Sequence, residues 1–185
     1  MKYLQHAMNE ARRMIIHFFN QPFNVRNTSV LILPETQTEQ TMYEIILKSH
    51  NGLRWIMLAL LLFVIARSWS AFAGKKPFGK LDNATGGALV GISHLQLLLG
   101  LILYFGLSPV TEAAFADFGA AMKDKNLRFY AVEHILTMFI AVGLIQAGRI
   151  VSKKATDDAQ KFRKMAIFTT GALILIISRM PHWRF

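Results

Sequence analysis

The chain has 185 residues, 53% of them hydrophobic and 17% charged, and it carries no cysteine. That composition is too apolar for a disordered protein, and the missing thiols exclude a disulfide scaffold, a thiolate metal site and an iron–sulfur cluster. The formal charge of +10 fits either a nucleic acid or a membrane as partner, and its distribution decides between them.

Residues 1–41 read as an N-terminal extension. Pro22, Pro34 and the polar run from Glu35 to Thr41 break with the pattern that follows. The run MIIHFF after Arg12 and Arg13 is too short for the apolar core of a signal peptide. A short amphipathic surface helix over Tyr3 to Phe19 fits the spacing. The extension is expected to be poorly ordered or outside the native protein, with the functional unit starting at Met42 and running to Phe185.

Four apolar runs follow, at about 49–69, 85–108, 129–148 and 165–181. A bilayer crossing needs about 20 such residues. Short polar links between them make each helix antiparallel to the next. The expected fold is therefore all-α: an integral membrane four-helix up-down-up-down bundle.

The charges set the expected orientation. The first link holds Arg67, Lys75, Lys76 and Lys80 against Asp82. The third holds Arg149, Lys153, Lys154, Lys161, Arg163 and Lys164 against Asp157 and Asp158. In the second link Lys123, Lys125 and Arg128 are balanced by Glu112, Asp117 and Asp124. The positive-inside rule makes links 67–85 and 149–164 cytoplasmic and puts both ends of the bundle on the outer side of the membrane. Anionic lipid headgroups are the expected partners of the basic links, and no nucleic acid is expected.

Ionisable residues within a bilayer are costly and mark functional positions. Arg54 lies about 18 Å along a helix from Arg67, inside the outer leaflet. Glu133 is one turn into the third run and Arg179 is near the outer end of the fourth. Histidines accompany them: His50 shares a face with Arg54, His134 follows Glu133, and His182 is one turn beyond Arg179. His94 lies deeper, in the second run. Gly87, Gly91, His94 and Leu98 fall on one stripe that leaves room for a planar group. Gly171, Leu175, Ser178 and His182 form a second stripe, and His134, Met138 and Ala141 a third.

Imidazole in a bundle core is the usual axial ligand of b-type haem iron. His50 and His134 are the best depth-matched pair, on diagonal helices. His182 is a substitute at that depth, and His94 suits a quinone or a cofactor edge. Arg54 and Arg179 suit haem propionates, with Glu133 orienting one of the basic groups. Each histidine also suits a plain hydrogen-bonded role, and Arg54 with Glu133 suits a structural ion pair. Trp55, Trp69 and Trp183 read as interfacial anchors. Zinc, hydrolase and phosphate-loop motifs are absent from the sequence.

Four segments carry a family resemblance: SHNGLRW at 49–55, SHLQLLLGLILY at 93–104, RFYAVEH at 128–134 and the closing MPHWRF. They resemble a family of small four-helix inner-membrane proteins of Bacteroidetes-type bacteria, usually labelled cytochrome B or cytochrome B subunit. The resemblance covers Met42 to Phe185. It implies a haem b-binding electron carrier, or a small subunit that serves a quinone or a respiratory membrane complex. A non-enzymatic membrane accessory or assembly protein without cofactor is the competing expectation.

Overall fold

The structure is a computed structural model, and it describes residues 2–19 and 35–180. The described residues are helical, with no strand among them. The helices are α1 (Lys2–Phe19), α2 (Glu35–Ala73), α3 (Lys80–Ile102), α4 (Pro109–Ala116), α5 (Phe118–Ala121), α6 (Lys125–Arg128), α7 (His134–Lys153) and α8 (Asp158–Ser178). Two π turns extend this set. Leu103–Leu107 continues α3, and Phe129–Glu133 joins α6 to α7.

Three helical stretches among the described residues are long and apolar enough to cross a membrane: Gln37–Ala73, Lys80–Leu107 and Lys125–Lys153. The shortest has 28 residues, about 42 Å of helix against a hydrocarbon core of about 30 Å. The fourth expected run begins within α8, which ends at Ser178, and α8 does not join them. Lys161, Arg163 and Lys164 occupy the early turns of α8, and its uninterrupted apolar stretch is correspondingly short.

Local signals explain where the helices stop. Lys75 follows α2 with φ of 49°, a left-handed conformation that favours glycine. Around it, Lys76 N–H donates to Ala71 O at 3.0 Å and Lys75 N–H to Phe72 O at 3.3 Å, the paired bonds of a Schellman cap. Asp82 reaches back to the Gly79 N–H at 2.9 Å and so caps the start of α3. Ser108, Asp117, Asp124 and Asp157 cap α4, α5, α6 and α8 with their side-chain oxygens. The polar link between the second and third apolar runs is thus three short capped helices.

The chain divides into two units. The first comprises Met1–His50 and Leu99–Ala131. In it α1 packs against the first π turn: Arg12 Nε donates to Gly106 O at 3.0 Å, and its guanidinium pairs with Glu112. The second π turn is held by Tyr104 Oη, which donates to Ala131 O at 2.7 Å. Gly100 faces the His50 ring, where a β-carbon would stand 3.2 Å from Cε1.

The second unit comprises Asn51–Leu98 and Val132–Phe185. Its apolar core draws on four helices: Met57, Leu58, Leu61 and Val64 from α2, Leu89 from α3, Ala141 and Ile145 from α7, and Met165, Ala172 and Ile176 from α8. Buried positions recur mostly at spacings of three and four residues along each. On α2 they are Arg54, Met57, Leu58, Leu61, Val64, Ser68 and Ala71, and on α3 Asp82, Gly86, Leu89, Ser93 and Gln96. On α7 they are Ala141, Val142, Ile145, Gly148 and Ser152, and on α8 Phe162, Met165, Ala166, Thr169, Ala172 and Ile176. That spacing marks one inward face on each helix. Gly148 sets the approach of α7 to α8, since a β-carbon there would lie 2.6 Å from Phe168 Cβ.

Candidate functional site

The second unit gathers four of the sequence-nominated residues near the start of α7 and the end of α8. His134 Nδ1 lies 2.9 Å from the backbone oxygen of Arg179. A carbonyl only accepts, so Nδ1 carries the proton and Nε2 carries the ring's lone pair. The bond also satisfies a carbonyl at the end of α8, where intrahelical partners have run out. The Arg179 side chain turns to Glu133, with Nε 3.5 Å from Oε2. Glu133 immediately precedes α7, and its own carbonyl accepts from Thr137 Oγ1 at 2.7 Å.

Arg54 is buried, 8% exposed, on the α2 seam one turn before Met57. Its guanidinium carbon lies 5.1 Å from the Trp55 ring centroid, within cation–π range. Trp55 itself is 48% exposed. The arrangement combines an oriented imidazole, two guanidinium groups and a carboxylate, which is chemistry suited to a metal-bound anionic cofactor.

The other nominees stand elsewhere. His50 is half-buried in the first unit beside Gly100. His182 lies outside the described residues, as does Trp183. His94 is exposed, and its Nδ1–H donates to Val90 O of its own helix at 2.8 Å. The stripe expected to leave room for a planar group inside the bundle is the exposed face of α3. A β-carbon added at Gly87 or Gly91 would meet nothing within 4 Å, and Leu98 is 53% exposed. The inward face is instead Asp82, Gly86, Leu89, Ser93 and Gln96. No group of three or more metal-ligating side chains occurs among the described residues.

Sequence reasoning missed a polar cluster at the opposite end of α2. Arg67 grips the buried Asp82 through Nε and Nη2, at 2.8 and 3.2 Å. Arg149 Nη2 donates to both the carbonyl and the side chain of Asn83. Trp69 Nε1 donates to Thr170 Oγ1 at 3.2 Å. Asp158 accepts from the Phe78 N–H at 3.0 Å and from Lys161 Nζ at 2.8 Å. Lys161 and that N–H hold the Asp158 carboxyl below its ordinary value. The available signal was Asp82 itself, an acid in an otherwise basic link.

Comparison with protein-family models, curated proteins and solved structures finds no match for the chain.

Proposed function

We propose that the chain is an integral membrane four-helix up-down-up-down bundle of the small cytochrome B-like inner-membrane type, and that it carries b-type haem for quinone-linked electron transfer. Support for the bundle comes from three membrane-length helices and from the three-and-four seams on α2, α3, α7 and α8. The links 67–85 and 149–164 lie on the cytoplasmic side against anionic headgroups, and the His134 end lies outside.

The observation that carries the haem reading is the bond from His134 Nδ1 to Arg179 O. Histidines that ligate metals donate their other ring N–H in this way, which fixes the tautomer and the ring plane. His134 would hold the iron through Nε2, with Arg54 and Arg179 set for propionates and Glu133 holding Arg179 in place. The sequence offers His182 as a further imidazole that could hold the group. Haem, when bound, supplies one-electron chemistry. The chain's own part is to orient the imidazole and to neutralise the cofactor's carboxylates. The test is purification in detergent after haem-sufficient expression, followed by spectra of the parent, His134→Ala and His6→Ala. Haem in the parent and in His6→Ala, with loss in His134→Ala, is the expected result. Absence of protein-bound haem from the parent contradicts the reading.

A second reading has its own observation. Arg179 is tied to α7 twice, by the His134 ring and by Glu133. Such a clasp also suits a membrane accessory or assembly protein without cofactor, which would copurify with a larger complex and show no chromophore.

A further inference from the structure

Within the second unit, Arg149 bridges the end of α7 to the start of α3. Its side chain crosses Gly86, where a β-carbon would stand 3.5 Å from Cδ and 3.6 Å from Nε. One turn earlier on α3, Asn83 accepts from Nη2 through its carbonyl at 3.1 Å and through its side-chain oxygen. Nη1 is buried and has no hydrogen-bond partner among the described residues. A buried donor without an acceptor is costly, and native proteins fill such gaps with water or an ion. Two lysines flank the guanidinium. Lys153 is one turn beyond Arg149 on the same face of α7, and Lys80 is one turn before Asn83 on α3. Both are exposed, and neither makes an ion pair among the described residues. The acids of the two links are engaged elsewhere. Asp82 is held by Arg67 and the Gly79 N–H, Asp157 caps α8, and Asp158 is held by Lys161 and the Phe78 N–H.

We propose that this end of the gap between α3 and α7 seats the phosphate of one anionic phospholipid of the cytoplasmic leaflet, held by Arg149, Lys80 and Lys153. The proposal rests on the membrane reading above, and it narrows headgroups spread along two basic links to a single seat. A phosphate diester is an anion with several acceptor oxygens, which suits a planar guanidinium and two ammonium groups that lack carboxylates. The depth suits a headgroup. Arg149 lies about 6 Å inside the end of a membrane-length helix, near the boundary between hydrocarbon and water. The surface below it suits an acyl chain. Gly87 and Gly91 continue the Asn83 stripe toward the middle of α3, and both are exposed with open space where a β-carbon would stand. That shallow course leads from the phosphate toward the bilayer centre. A free anion would use the cations alone and leave the course empty. Basic pockets between membrane helices on the cytoplasmic side are the usual seats of anionic headgroups.

The test titrates the full chain in mild detergent with phosphatidylglycerol, phosphatidylcholine or inorganic phosphate. Native mass spectrometry counts the lipid retained, and thermal unfolding follows each titration. Lys80→Gln with Lys153→Gln removes two of the three cations and leaves the contact of Arg149 with Asn83 in place. Lys123→Gln with Lys125→Gln removes the same charge from exposed positions in the link 108–128 and serves as the control. The expected result is one phosphatidylglycerol per parent chain, held about tenfold more tightly than phosphatidylcholine. Its binding is expected to weaken about tenfold in the Lys80 and Lys153 variant and to stay unchanged in the control. Equal retention of the two lipids, or equal weakening in the two variants, overturns the site and leaves the membrane reading intact. Stabilisation of the parent by inorganic phosphate, with no lipid retained, overturns the lipid assignment in favour of a free anion. A chain that stays dissolved and monodisperse without detergent overturns both the site and the membrane reading.

Discussion

His134 donates its Nδ1–H to the backbone oxygen of Arg179 at 2.9 Å, so a single imidazole closes the end of α8 and has its own tautomer fixed by the same bond. The structural role and the proposed cofactor role of this ring use different nitrogens, and they can be separated by substitution. Asparagine places an amide N–H where Nδ1 stands but offers no imidazole base. His134→Asn is therefore expected to stay within about 1 kcal/mol of the parent in thermal unfolding and to lose haem. His134→Ala is expected to lose haem and to cost about 0.5–1.5 kcal/mol, the net worth of one hydrogen bond. Thermal unfolding in detergent and a haem assay read the two effects on the same samples.

The approach of α7 to α8 is expected to give opposite outcomes for one chemical change. Gly148→Ala puts a methyl group 2.6 Å from Phe168 Cβ, a position that side-chain rotation cannot relieve. It is expected to cost about 1–3 kcal/mol through overpacking. Gly143→Ala, one and a half turns earlier on the same helix, meets nothing within 4 Å. It is expected to be neutral or to stabilise by up to about 1 kcal/mol through helix propensity. The midpoints of thermal unfolding distinguish the two.

These contacts show which features the sequence makes legible. Long apolar runs specify helices: α2 contains one of the expected spans, and α3 and α7, each with its adjoining π turn, hold most or all of two others. Helix length is harder to read than lipid length. α8 starts at Asp158 because Asp157 caps it, whereas its apolar stretch starts only after Lys164. The inward face of α3 is harder still, because a helix that is apolar all round has no amphipathic stripe to read. Gly87, Gly91 and His94 share one stripe in the sequence, yet that stripe faces outward. The polar residues Asp82, Ser93 and Gln96 mark the buried seam, since a polar group in such a helix is better placed within protein than against lipid. The bond from His134 to Arg179 joins residues 45 apart through a backbone atom, which no side-chain pattern encodes.

The cap of α2 carries a local strain that can be relieved. Lys75 holds a φ of 49° at the position that glycine normally takes in this motif. Lys75→Gly is expected to raise stability by about 1 kcal/mol, and Lys75→Ala is not, because alanine keeps the β-carbon that makes the conformation costly. Comparison of the two variants by thermal unfolding checks the point and controls for loss of the charge.

Acid sensitivity should arise at the 149–164 link. The carboxyl of Asp158 is held below its ordinary value by Lys161 and then by the Phe78 N–H. A depressed carboxylate contributes stability that is present above its unfolded-state value and is lost as pH falls through its folded-state value. Unfolding of the parent should therefore become easier as pH drops below the normal aspartate range, and Asp158→Asn should lessen that dependence. Equal pH profiles for the two proteins would count against this assignment.

The central claim is that this bundle holds haem through an imidazole whose proton is fixed by Arg179. The most direct measurement is the dithionite-reduced minus oxidised absorption spectrum of the full chain, purified in detergent after haem-sufficient expression. A Soret shift on reduction, with a sharp α band and protein-bound haem in the same fraction, is the predicted result. A featureless difference spectrum from folded, helical protein would contradict the claim.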